Sequence, residues 1–266
     1  MLTTKAKNLS VCEIGRLKKE ITNLKEELAV NNSEIVHLKA VKNQFIGMVA
    51  HDLRNPLGVI LSYSELLIDE NEDKLTDVQK DFAGRIHSST EFMLKLIEDL
   101  IDISQLDAGK LSLNAEILDI VSLITENIKR NKELAAKKNI SIQIGCSEAI
   151  IYVYADANRL DQVFSNLLSN AIKFSDPGAA VNVQLSKVND NVHIKVTDYG
   201  MGIASKALDK IFIPFEETPG KGTRGEKGTG LGLPIGKRII EEHNGEIWVE
   251  SVTGKGTSFT VSLPLK

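Results

Sequence analysis

The chain has 266 residues, 42% of them hydrophobic and 26% charged, with a formal net charge of −4. That composition is ordinary for a globular protein, the length suits two modest domains, and the acidic balance excludes a broad basic surface for nucleic acid or anionic membrane. The two cysteines, Cys12 and Cys146, form neither a disulfide framework nor a metal-ligand spacing, so a reducing, cytoplasmic setting is expected. No apolar run reaches the ~18 residues of a spanning helix, and the first thirty residues are too charged for a signal peptide. A soluble protein, or the cytoplasmic part of a longer one, is the expectation.

Ile14, Leu17, Ile21, Leu24, Leu28, Ile35, Leu38, Phe45 and Val49 fall at heptad positions, with Asn31 and Lys42 filling the gaps. A seam this narrow predicts a parallel two-stranded coiled coil, in which a polar seam residue sets register. The repeat runs without a breaker into a second stretch. There Ile46, Val49, Leu53, Leu57, Ile60, Ser64 and Leu67 line one helix face. His51 points away from that stripe, towards solvent. Asp52 is its neighbour, and Asn55 lies one turn on along the same face. Pro56 cannot donate to the carbonyl of Asp52, which predicts a bend.

The helix should end in the charged run at 69–74. A second helix is predicted from about Leu75, with Val78, Phe82, Ile86, Ser89, Met93, Leu96, Leu100, Ile103 and Leu106 on its apolar face, ending at Asp107-Ala-Gly109. Two such helices make an antiparallel hairpin. Alone it would leave apolar surface in water, so two hairpins should pair into a four-helix bundle and the chain should form a homodimer.

After Gly109 the composition shifts to short β-like runs at 140–144, 150–155, 180–187, 192–198, 246–251 and 257–263, with helical stretches near 119–138, 157–174 and 231–244. The mixed order predicts an α/β sandwich with helices on one face of a mixed sheet. On the second of these helices, Asn166, Asn170 and Lys173 share a face. Two carboxamide oxygens can complete a hydrated Mg²⁺, and a lysine can meet a phosphate. Asp198-Tyr-Gly200-Met-Gly202 follows an apolar strand; its carboxylate can accept the exocyclic amine of adenine, and its glycines permit close backbone approach. The run 218–233 is rich in glycine and charge, which predicts a mobile loop, and Gly228–Gly232 opens a helix whose amides can bind phosphate. Gly220-x-Gly222-x-x-Gly225 mimics a dinucleotide fingerprint but follows no strand, and Glu226 spoils a P-loop reading.

Phe45, His51, Asp52, Leu53, Arg54, Pro56 and Leu57 resemble the phosphoacceptor box of the sensor histidine kinases of two-component systems. The helix 156–175 resembles that family's N box, 198–203 its G1 box, 211–216 its F box and 228–232 its G2 box, all in order over about residues 40–264. The resemblance implies an α+β architecture: an N-terminal coiled coil (1–44), a dimerisation and phosphotransfer hairpin (45–109) and a Bergerat-type ATP-binding sandwich (110–266). It implies ATP-dependent autophosphorylation of His51 and relay to an aspartate of a response regulator. Asp52 would orient the imidazole, and Asn55 would place a water for phosphatase action. ATP would be held by Asn166, Asn170, Lys173, Asp198, Gly200, Gly202, Phe215, Arg224, Lys227, Gly228, Thr229, Gly230, Leu231 and Gly232, with Mg²⁺ on Asn166 and Asn170. ATP-hydrolysing relatives carry Glu where this chain has Asn166; a carboxamide cannot deprotonate water, so slow hydrolysis is expected.

Overall fold

The computed structural model describes residues 11–69, 75–107, 113–216, 222–223 and 228–266, the side chains of 11–14, 69 and 107 aside. Two compact units divide at Val49. In the first, helix α1 (Val11–Asp69) carries the heptad positions. Leu17, Ile21, Leu24, Leu28, Ile35, Leu38 and Phe45 are all exposed on the single chain.

In the second unit, α1 continues through Pro56, which lies inside the helix without ending it. The predicted turn at 70–74 lies outside the described residues. Helix α2 (Asp77–Asp107) starts on a capping box. Thr76 Oγ1 accepts from Gln79 N at 3.4 Å, and Gln79 Oε1 accepts from Thr76 N at 2.9 Å. Ala50, Leu57 and Ser64 of α1, and Ala83, Thr90 and Ile97 of α2, are buried at steps of seven. Ala50 and Leu57 cluster with Ile97, Leu94 and Ile101, while Ser64 Oγ lies 3.3 Å from His87 Nδ1, so the helices run antiparallel.

The single apolar face expected of each helix is thus two seams. Small residues and Leu57 meet the neighbouring helix. Leu53, Ile60 and Leu67 of α1, with Val78, Phe82, Ile86 and Met93 of α2, stay exposed. On α1 the expected face merges the two seams, because both repeat every seven residues; on α2 the buried seam of Ala83, Thr90 and Ile97 lies off the expected face, because Ala and Thr carry little apolar signal.

The remainder is a sandwich. Strands β2 (Ser141–Cys146), β4 (Ala180–Val188), β5 (Asn191–Asp198), β6 (Glu246–Val252) and β7 (Gly256–Pro264) form a sheet in the order β2-β4-β5-β7-β6. The β2–β4 pair is parallel and the others antiparallel. Strands β1 (Glu116–Asp119) and β3 (Tyr152–Ala155) make a separate antiparallel ribbon. Helices α3 (Ile120–Lys137), α4 (Ala157–Phe174) and α6 (Gly232–Glu242) supply most of the helical core; α5 (Ser205–Leu208) is one turn. Along β5 every second residue is fully buried, as on a sheet covered by helices on one face. Phe164, Leu160, Leu167 and Ile172 of α4 pack with Ile120, Ile124, Ile235 and Ile239 over Val181, Val183, Ile194, Val196 and Val261.

Helices α3 and α4 start where carboxylates are placed to cap them. Asp119 Oδ1 accepts from Val121 N at 3.1 Å, and Asp156 Oδ1 from Asn158 N and Arg159 N at 3.0 and 3.1 Å. Buried His243, capping the end of α6, fixes the second of these starts. Its Nδ1 lies 2.8 Å from Ile239 O, a contact only a donor makes, so Nε2 is the acceptor for Asp156 N at 2.9 Å.

Candidate nucleotide site and phosphoacceptor

Helix α4 turns its apolar side to the core and leaves Asn166, Asn170 and Lys173 half-buried on the other. Asn166 Oδ1 lies 3.4 Å from Asn170 Nδ2, while Asn166 Nδ2 is buried without a hydrogen-bond partner. A buried amide left unpaired is costly and marks a place where a ligand completes the bonding. The first residue of α6 stands directly over it: a Cβ at Gly232 would collide with the Asn166 carboxamide. Gly232 therefore lets the free amides at the start of α6 approach α4. Lys173 Nζ lies near Gly228, where an added Cβ would come to 3.0 Å. Leu231 N donates to Thr229 Oγ1 at 3.2 Å and tightens the entry to α6.

Asp198 lies at the end of β5 and is buried. Its Oδ1 accepts from Gly200 N at 3.0 Å and Thr257 N at 3.3 Å. Burial pushes its pKa up to about 6, against the pull of those two amides. It lines a cavity of about 100 Å³ with Asn170, Phe174, Met201, Ile203 and Leu233. A flat apolar slot with one carboxylate suits a heteroaromatic ring that offers an amine. Gly202 takes φ +65° with its Cα against the Val252 carbonyl, so no side chain fits there. Phe215 is exposed with φ +63°, and Gly230 has φ +70°. Arg224 and Lys227 lie outside the described residues.

His51 is exposed, 73% of its side chain open to solvent, with Nδ1 3.3 Å from Asp52 Oδ1. Asn55 is exposed one turn on. The structure brings the α4, α6 and Asp198 groups around one cleft but does not bring His51 to them. Instead α2 grips the nucleotide domain. Asp102 accepts from Arg159 Nη1 at 2.8 Å and Gln162 Nε2 at 2.6 Å, and Asp99 from Thr229 Oγ1 at 2.7 Å. Asp99 has its pKa raised by burial. A cavity of about 580 Å³ lies along this contact; Arg54, Asp99, Asn166 and Gly232 line it and His51 does not. Sequence reasoning missed Asp99, Asp102, Arg159 and Gln162, which read there as ordinary polar positions of amphipathic helices.

Two family models match in this order. Residues 41–109 match the His Kinase A (phospho-acceptor) domain, and residues 155–266 match the histidine kinase-, DNA gyrase B- and HSP90-like ATPase domain. The chain belongs to the histidine kinase family that joins these two domains. Among its relatives are the sensor protein kinase WalK of Staphylococcus aureus, 36% identical over 84% of this chain and 54% of that protein. The circadian input-output histidine kinase CikA of Synechococcus elongatus is 31% identical over 94% of this chain and 34% of that protein. The chain therefore spans about half or less of the length of these relatives. Among solved structures, full-length ShkA in complex with AMPPNP superposes with a TM-score of 0.69 at 28% identity, over 84% of this chain and 46% of that one. The catalytic domain of histidine kinase ThkA gives 0.51 at 31% identity, over 57% and 96%. Among the described residues no helix is long and apolar enough to cross a membrane.

Proposed function

We propose that the protein is an ATP-dependent protein-histidine kinase that phosphorylates His51, acts as a homodimer, and passes the phosphoryl group to an aspartate of a response regulator. The observation that carries this is the pairing of a largely apolar cleft that holds a buried carboxylate, Asp198, with an exposed, carboxylate-flanked imidazole on one chain. Domain limits of 1–44, 45–109 and 110–266 go with this reading.

Asp198 accepts the adenine amine while the apolar slot excludes water from the ring. Lys173 and the amides from Gly228 to Gly232 meet the phosphates, with Thr229 released from Asp99. The carboxamide oxygens of Asn166 and Asn170 would hold a hydrated Mg²⁺, and the unpaired Asn166 Nδ2 would donate to a phosphate oxygen beside it. Bound there, the ion would neutralise charge on the phosphates.

Attack needs a neutral imidazole. Asp52 Oδ1 accepts a hydrogen bond from Nδ1–H, which leaves the Nε2 lone pair for the γ-phosphorus. The P–O bond to ADP breaks as the N–P bond forms, and the imidazolium that develops is stabilised by Asp52. Catalysis is positioning plus charge stabilisation, because the transition state is loose. Asn166 cannot take a proton from water, so ATP survives until His51 arrives. Asn55 orients a water against the regulator's phosphoaspartate. Exposed Leu53, Ile60, Phe82 and Ile86 supply the dimer seam, and the heptad positions up to Phe45 a parallel coil.

Incubation with γ-labelled ATP tests the reading. Acid-labile, alkali-stable label on wild-type protein, absent from His51→Gln, is expected. Rapid release of free phosphate by His51→Gln would contradict it.

A further inference from the structure

Lys138 is the C-cap of α3 and only 4% exposed, which is rare for a lysine unless its charge is matched. Its Nζ donates to Lys173 O at 2.7 Å, Ile172 O at 3.3 Å and Thr223 Oγ1 at 2.8 Å. The two carbonyls are orphans of the α4 C-terminus, where a positive charge is favoured by the helix dipole.

The whole end of α4 is closed by pieces of the site. Ala171 O accepts from Ser175 N and Oγ, and Phe174 O from Met201 N at 3.3 Å, in the loop after Asp198. Lys173 O also accepts from Thr223 N at 3.2 Å, and Thr223 Oγ1 reaches Ser175 O at 2.9 Å. The backbone of Lys138 takes part as well, its carbonyl accepting from Gly178 N at 3.0 Å. One buried ammonium thus ties the lysine on α4 to Thr223, a residue of the glycine-rich run before α6.

We propose that Lys138 is a positioning residue for the phosphate side of the nucleotide site: by holding the Lys173 backbone against Thr223 it sets where the Lys173 ammonium meets the β- and γ-phosphates. This deepens the kinase reading and rests on it. Lys138 lines neither of the two cavities described above. The base slot around Asp198 is built from β5, β7, the loop at 199–204, Leu233 of α6 and, on α4, Asn170 and Phe174; the Phe174 carbonyl is held by Met201 N and not by Lys138.

The test is calorimetric binding of Mg-ATP and of adenosine to the full chain. Lys138→Met should weaken ATP by roughly tenfold, the scale of one charge-assisted hydrogen bond, and leave adenosine unchanged. Lys138→Arg should recover part of the loss, since a guanidinium keeps the charge and the donors. If Lys138→Met does not fold, Thr223→Val removes one acceptor and should show the same ATP-selective loss on a smaller scale. Equal weakening of ATP and adenosine, or no change in either, overturns the proposal. Wild-type protein that binds ATP no better than adenosine would overturn the nucleotide reading itself, before any variant is compared.

Discussion

The hairpin and the sandwich solve the same problem with unequal means. The sandwich buries Phe164, Ile120, Leu160, Leu167, Ile194 and their neighbours almost completely in one continuous core. The hairpin's own cluster is Ala50, Leu57 and Ile97, with Phe82 left 60% exposed. A two-helix layer has one inner seam and cannot enclose its outer one. The nucleotide domain is therefore complete in one chain. The hairpin leaves its outer seam open, where the proposed dimer would place a second hairpin, and touches α4 through Asp102 and the entry to α6 through Asp99 and Thr229. In the proposed reaction the part that would receive the phosphoryl group is the part with an open apolar seam, which would make it the natural seat of control.

Substitutions can break this contrast. Phe164→Ala should cost the sandwich about 3–5 kcal/mol, read as a loss in chemical denaturation with the hairpin helicity less affected. Phe82→Ser should leave the sandwich transition unmoved and instead weaken association, at about 1.5–3 kcal/mol per side chain, seen as dissociation in sedimentation equilibrium. If Phe82→Ser stays dimeric with unchanged affinity, the outer seam is not the interface. Asp198→Asn should weaken ATP by about 1.5–3 kcal/mol, because an amide presents a donor to the adenine amine in one orientation and a poorer acceptor in the other. Calorimetry checks it, and unchanged affinity would remove Asp198 from the base slot.

Asp102→Ala sharpens the same contrast. Asp102 is 15% exposed in its side chain and serves both Arg159 and Gln162. Its loss should loosen the hairpin from the nucleotide domain by about 1–2 kcal/mol and raise the rate of His51 phosphorylation severalfold at saturating ATP. A slower rate would mean that this contact is productive. A further effect is with pH. The Asp198 carboxyl titrates at about 6 when folded against 3.8 for an unperturbed one, so its contribution to stability is fully present below 3.8 and is lost as pH rises through about 6. Nucleotide affinity should run the other way, falling as pH drops below about 6 and the acceptor becomes protonated. Titrations from pH 5 to 8 check both signs.

Much of this was legible in the chain because it is local. Heptad spacing, strand alternation and the Asn166–Asn170–Lys173 face need only helix and strand periods, and the helices α3, α4 and α6 begin and end within two residues of their predicted limits. Strand β1 escaped because four residues carry no period, and α5 because it is one turn. The two seams of α1 escaped division because one seven-residue repeat serves both, and the buried seam of α2 escaped because Ala83 and Thr90 carry little apolar signal. The groups that tie parts together were hidden for a different reason. Lys138 meets acceptors 35 and 85 positions away, and Asp102 meets Arg159 across 57. Nothing near either residue signals burial, and only the packed chain shows it.

The most direct test is mass-spectrometric mapping of phosphate, under alkaline handling, on the full chain after incubation with Mg-ATP. The account predicts phosphate on the imidazole of His51. Normal Mg-ATP binding with His51 unmodified would contradict it.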